Sequence, residues 1–223
     1  LDPFFTQAHR QLVKIYLKKE KYISALLHLK QLTNANANDI NAHISVAKIY
    51  KKLGSFNLAI ETIGPIISRN PENIQAREIL AEVFYKEKKF DHSISEYRRI
   101  LEQNSKYLPA YIQLGWVYYR KGEFQMATAW TKRGLKLGSH VSQLNSLAIM
   151  NLGLYAWLND DYAAAKKWYR KALEGRSEII LKEILKDLKD TALLFPDHIE
   201  AAFFSGWALM EAGKKKMASQ HLT

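Results

Sequence analysis

Apolar positions return along this chain in a fixed frame. Leu12, Val46, Leu80, Leu114 and Leu152 each precede a short side chain; Tyr16, Tyr50, Phe84 and Tyr118 follow that side chain by three. Tyr22, Phe56, Phe90, Phe124 and Tyr162 stand three before a second short residue. The two short residues are twelve apart: Val13 with Ala25, Ala47 with Ala59, Ala81 with Ser93, Gly115 with Ala127, Gly153 with Ala165, Gly206 with Ala218. From one pair to the next the step is 34 residues three times, then 38, then 53. The spacing predicts two amphipathic helices joined by a short turn, as in AHISVAKIYKKLGSFNLAIETIGPII from Ala42 to Ile67, with Gly54 in the turn. Short residues on both helices let the backbones approach, and the aromatic residues fill the wedge beside that contact. One such hairpin cannot bury both of its faces, so hairpins must stack, and stability sums over neighbours.

The repeat length of 34 and the leucine, short residue, aromatic, alanine and closing proline resemble the tetratricopeptide repeat (TPR) family, most closely in PAYIQLGWVYYRKGEFQMATAW, residues 109–130. The resemblance implies an all-α fold, a right-handed superhelical solenoid of about six helix-turn-helix repeats. The fifth unit departs from the pattern at Ala156 and the sixth at Leu209 and Lys215. Nineteen residues beyond the regular step separate these two units, and Leu181, Leu185, Leu188, Ala192 and Phe195 there predict one extra inserted amphipathic helix. The expected division is residues 1–5 as the tail of a preceding repeat, 6–137 as four regular repeats, 138–175 as a fifth, 176–195 as the inserted helix and 196–223 as a sixth, truncated repeat. Pro3 and Pro71 share the repeat-closing column, which reads the chain as a piece of a longer array with exposed ends.

The family resemblance further implies that the first helix of each unit lines a concave groove. In the first three units the inward register gives Gln7, Arg10, Lys14 and Leu17, then Asn41, Ile44, Lys48 and Lys51, then Gln75, Glu78, Glu82 and Tyr85. These are polar and mixed in sign, and Arg10, Lys14, Lys48 and Lys51 form a candidate secondary polar contact. In the next three units the register gives Ile112, Trp116 and Tyr119, then Leu147, Met150, Leu154 and Trp157, then Phe203, Trp207 and Met210. An apolar stripe of that size marks an interface or a covered core, and aromatic anchors dominate interface energetics. The stripe has three readings: the inserted helix folds over it, a partner peptide or helix lies in it, or copies of the chain associate end to end. The groove residues that family members use to grip the carboxylate tail of heat-shock chaperones are not matched, since Arg10 and Lys14 are followed by Ser45, Gln75 and Ile79.

Composition alters this picture little. The 223 residues are 48% hydrophobic and 25% charged, as in a folded domain, and no run is long and apolar enough to span a membrane. Absence of cysteine excludes disulfides and thiolate chemistry. The net charge of +11 is spread evenly, which reads as a solvated surface more readily than a nucleic-acid footprint. Lysines recur at the turns (Lys18, Lys19, Lys51, Lys52, Lys86, Lys88, Lys89, Lys121, Lys214, Lys215, Lys216, with Arg120) and stacking would align them as a basic edge. Lys, Asn and Ile usage suggests a bacterial, cytoplasmic protein. Of the seven histidines, His9 and His43 share a column where an aromatic packs, and His28, His92, His140, His198 and His221 have no partner in helical register, so no metal ligand set is read. Asp160 and Asp161 are adjacent carboxylates placed to begin a helix rather than to act as acid and base. The expected function is therefore a non-enzymatic, cofactor-free scaffold for a protein or peptide ligand, or else a self-assembly module using repeat ends or the basic edge.

Overall fold

In the computed structural model the residues described are 3–137, 142–174, 178–196 and 200–221. Among them the chain is helical and without strands, and it forms two compact units, Leu1–Ser105 and Lys106–Thr223. The first unit holds α1 (Pro3–Lys18), α2 (Tyr22–Ala35), α3 (Ile40–Lys52), α4 (Phe56–Arg69), α5 (Ile74–Lys86) and α6 (Phe90–Gln103). The second holds α7 (Leu108–Arg120), α8 (Phe124–Lys136), α9 (Ser142–Leu158), α10 (Tyr162–Leu173), α11 (Glu178–Leu194), α12 (Ala201–Glu211) and α13 (Lys215–His221). Consecutive helices pair as antiparallel hairpins: α1 with α2, α3 with α4, α5 with α6, α7 with α8, α9 with α10 and α12 with α13. The tail assigned to residues 1–5 falls partly on Leu1 and Asp2, outside the described residues, as do His140 and His198.

Every short residue of the twelve-apart pairs is buried. The reason is visible at Gly115, where a Cβ would stand 2.1 Å from the Thr131 hydroxyl and 3.1 Å from the Ala127 carbonyl oxygen. α7 and α8 therefore touch backbone to side chain. The turns obey a second column. Glu20, Gly54, Lys88, Gly122, Asp160 and Gly213 all have positive φ, between 54° and 84°, and the first four are spaced by 34. Each hairpin thus turns through one left-handed residue, which glycine adopts without strain and lysine or glutamate does not.

Caps and cores complete each unit. Asp39 and Asn73 accept from the backbone N–H of Ala42 and Ala76 at 3.0 and 2.9 Å, and so start α3 and α5. In the first unit Ile44, Ile63, Ile79 and Val83 form one cluster and Val13, Leu29, Leu32 and Ile49 another. Arg77 of α5 and Glu96 of α6 form a buried ion pair at 2.6 Å, with Glu96 also accepting from Arg99 at 2.9 Å. No described helix is long and apolar enough to cross a membrane.

Candidate functional site

The second unit departs from a simple run of hairpins because α11 packs against α9, α10 and α12. Its buried face runs through Leu181, Ile184, Leu188 and Thr191. This is rotated from the face expected through Leu185 and Ala192, which are half-buried. The C-terminal end of α11 closes over α7: the Tyr119 hydroxyl and Thr191 hydroxyl share a buried hydrogen bond at 2.7 Å, and the Phe195 ring lies 5.7 Å from Tyr119 and 5.0 Å from Phe124.

This placement sorts the nine residues expected to line a groove into three sets. Tyr119, Leu154 and Trp157 are core side chains, which corrects the expectation that they offer a contact surface. Thr191 and Phe195 cover Tyr119, while Phe204 of α12, itself fully buried, lies 5.9 Å from the Trp157 ring. Phe203 and Trp207 form a second set that meets cations of α10, and Met210 beyond them is exposed. Phe203 is 45% exposed with the Lys166 ammonium 4.9 Å from its ring centre, and the Arg170 guanidinium stands 5.9 Å from Trp207 while bonding Glu211. α11 lies against both α9 and α12, and α12 meets α9 through Phe204 rather than through Phe203 or Trp207.

Ile112, Trp116 and Met150 make the third set and line one site, but Ile112 and Met150 are themselves buried, at 2% and 4% exposed, so of the three only Trp116 offers much surface, which corrects the expectation for those two as well. Where the N-terminal half of α11 draws away from α7 and α9 there is a cavity of about 560 Å³. Its walls are Ile112, Gln113 and Trp116 from α7, Ser146, Leu147, Met150 and Asn151 from α9, and Ile179, Ile180, Glu183 and Asp187 from α11. Leu147 and Ile179 are exposed at its mouth. Burial, then the neighbouring Glu183 and Asp190, push the Asp187 carboxyl up to about 6, against the opposing pull of Lys186. Burial and the charge of Asp187 likewise raise the Tyr169 hydroxyl well above its usual range.

Two of the four residues of the polar contact expected in the first unit are engaged within the chain. Arg10 donates to Asp39 at 2.6 Å, and Lys51 pairs with Glu82. Burial and the charge of Lys48 lower the Lys51 pKa. Lys14 and Lys48 are exposed, whereas Ile44 of the same register is core. The basic edge is also partly neutralised, with Lys89 on Glu87 at 3.2 Å and Lys121 on Glu123 at 2.7 Å.

Sequence reasoning missed a second concavity. In the first unit an apolar groove of about 820 Å³ lies between α2, α3 and α4 and exposes Ile23, Leu27, Ile40 and Leu58. Ile23, Leu27 and Lys30 at helical spacing along α2 were the available signal. His28, read as isolated, places its Nδ1 2.9 Å from that of His9. Asp161 accepts from the Ala164 N–H at 3.0 Å as the cap of α10. Among the described residues no group of three or more His, Asp or Glu side chains is arranged to hold a metal ion.

Models of the tetratricopeptide repeat match residues 47–109 and 147–174. Among solved structures the chain is similar to PilF of Pseudomonas aeruginosa, with TM-score 0.70 and 16% identity over 98% of this chain and 96% of that one. It is similar also to a TPR protein of Thermus thermophilus, with TM-score 0.66 and 21% identity over 82% and 98% of the two chains. MamA of Desulfovibrio magneticus gives TM-score 0.63 and 17% identity over 76% and 94%. At these identities the likeness is one of fold. No curated protein sequence matches.

Proposed function

The chain is a tetratricopeptide repeat protein, and from that premise we propose that it is a non-enzymatic scaffold whose second unit docks a segment of a partner protein in the cavity between α7, α9 and α11. The observation that carries this reading is the unfilled apolar space of about 560 Å³ bounded by Ile112, Trp116, Leu147, Met150 and Ile179. The space opens to water past Leu147 and Ile179, so an inserted apolar side chain would remove apolar wall from water and gain the hydrophobic term. A helix or strand carrying two or three apolar residues fits the space, in the manner of helix-in-groove recognition. Phe203, Trp207 and Met210, on the α10 side, contribute to a separate and more open contact. Lys14 and Lys48 remain the exposed members of the polar set in the first unit.

The test is an affinity capture from the source cells with the whole chain, compared with Trp116→Ala and Ile179→Asp. Ile179 is 73% exposed, so its replacement leaves the fold intact and puts a charge at the mouth. Loss of the same protein from both variants, with retention by Ile23→Asp in the first unit, supports the site. Equal capture by all four proteins refutes it.

A further inference from the structure

The cavity just described is not wholly apolar. Asn151 is 1% exposed, lines the space, and its buried Oδ1 accepts no hydrogen bond. Asp187 and Glu183 line the same space from α11. The charged groups around Asp187 are Glu183, Lys186 and Asp190 on its own helix, with the Tyr169 hydroxyl facing it from α10. None of the cavity-lining residues of α7 and α9 is charged. The wall therefore carries two carboxylates and an orphaned amide oxygen beside the neutral Gln113 and Ser146, and no cation, in a chain whose net charge is +11. An unsatisfied buried acceptor is costly, and a donor that supplies both hydrogen bond and positive charge relieves it most.

We infer that the occupant of this cavity is a peptide segment in which a lysine or arginine is flanked by apolar residues, with the cation set between Asn151 and Asp187 and the apolar neighbours against Ile112, Trp116 and Met150. The inference rests on the docking reading above and adds the chemistry of the partner. Ammonium or guanidinium groups are donors without acceptor capacity, which matches the Asn151 oxygen and the two carboxylates. Their aliphatic stems lie along apolar walls while the charged head reaches the acids. A carboxylate-bearing segment would set like charge beside Glu183 and Asp187, and a wholly apolar one would leave both carboxylates without a counter-charge.

The experiment titrates the whole 15N-labelled chain with N-acetyl-Leu-Lys-Leu-amide and with its norleucine isostere, which differ only in the ammonium group. Trp116 indole and Asn151 side-chain resonances are followed at pH 7.5. The expected result is at least about tenfold tighter binding of the lysine peptide, about 1.4 kcal/mol, with both resonances shifting. That preference falls below about threefold in Asp187→Asn, and Glu183→Gln gives a smaller loss that serves if the first variant is compromised. Spermidine, a free polyamine without apolar flanks, shifts neither resonance at the same concentration. Equal binding of the two peptides at Trp116 overturns the cation subsite and leaves the docking reading standing. Shifts confined to other residues, no shift with either peptide, or a spermidine response at Asn151 equal to the lysine peptide's each overturn the inference. The capture experiment with Ile179→Asp decides the docking reading separately.

Discussion

Replacing Gly115 by alanine puts a methyl group where α7 and α8 leave no room for one. The new Cβ would meet the Thr131 hydroxyl at 2.1 Å and the Ala127 carbonyl oxygen at 3.1 Å. Thr131 is fully buried, so its side chain has nowhere to swing without displacing a neighbour. Two effects oppose each other. Alanine is favoured over glycine inside a helix by about 1 kcal/mol, while overpacking a close contact costs about 1–3 kcal/mol. A clash of this depth places the cost at the upper end, and the net expectation is a loss of about 1–2 kcal/mol. All five tryptophans of the chain lie beyond residue 105, so urea unfolding followed by tryptophan fluorescence reports the second unit alone. Thr131→Ala in the Gly115→Ala background removes the obstructing hydroxyl, and at least half of the loss should return, a coupling typical of residues in contact. A Gly115→Ala variant as stable as the parent, or no coupling with Thr131, would refute the claim that the short-residue columns exist to bring paired helices together.

Three further outcomes follow from named contacts. The Asp187 carboxyl holds its proton up to about pH 6, whereas in the unfolded chain it releases it near 4, so stability falls as pH rises between those values. Asp187→Asn should therefore gain roughly 2–3 kcal/mol at pH 7.5 and nothing below pH 3.5; an equal gain at both values contradicts this cause. Lys88 holds φ 61° in the turn column that glycine fills elsewhere, so Lys88→Gly should stabilise the first unit by about 0.5–1 kcal/mol in urea melts followed by circular dichroism, and a loss would count against the strain. Glu96→Ala strands the buried Arg77 and should cost about 3 kcal/mol, more than the double replacement Arg77→Met with Glu96→Leu; a smaller cost than the double replacement would mean the pair is not desolvated.

How much of this was legible in the sequence depends on whether a feature is local. The short-residue columns and their burial are written in spacing, because a hairpin's two helices meet at fixed offsets from their turn. The turn column is equally local, although only the backbone shows that Glu20, Lys88 and Asp160 share the conformation of Gly54 and Gly122. Where α11 packs was not legible. Its amphipathic pattern shows that one face is apolar and says nothing about which neighbours receive it, and from that choice follow the burial of Tyr119 and the turning away of Phe203. The adjacent pair Phe203 and Phe204 shows the limit sharply: a register shift of one residue decides which ring is fully buried, and the structure buries Phe204. The cavity is likewise a property of packing between α7, α9 and α11, visible in the sequence only as unusually apolar first helices.

The most direct test of the docking site is photocrosslinking in lysate of the source cells. A benzophenone amino acid is placed singly at Leu147, Ile179, Phe203 and Ile23, all exposed positions. One shared partner adduct is expected from Leu147 and Ile179, with a lysine- or arginine-containing peptide at its crosslinked segment. An adduct formed only from Ile23 in the first unit, or only from Phe203 on the α10 side, would contradict it.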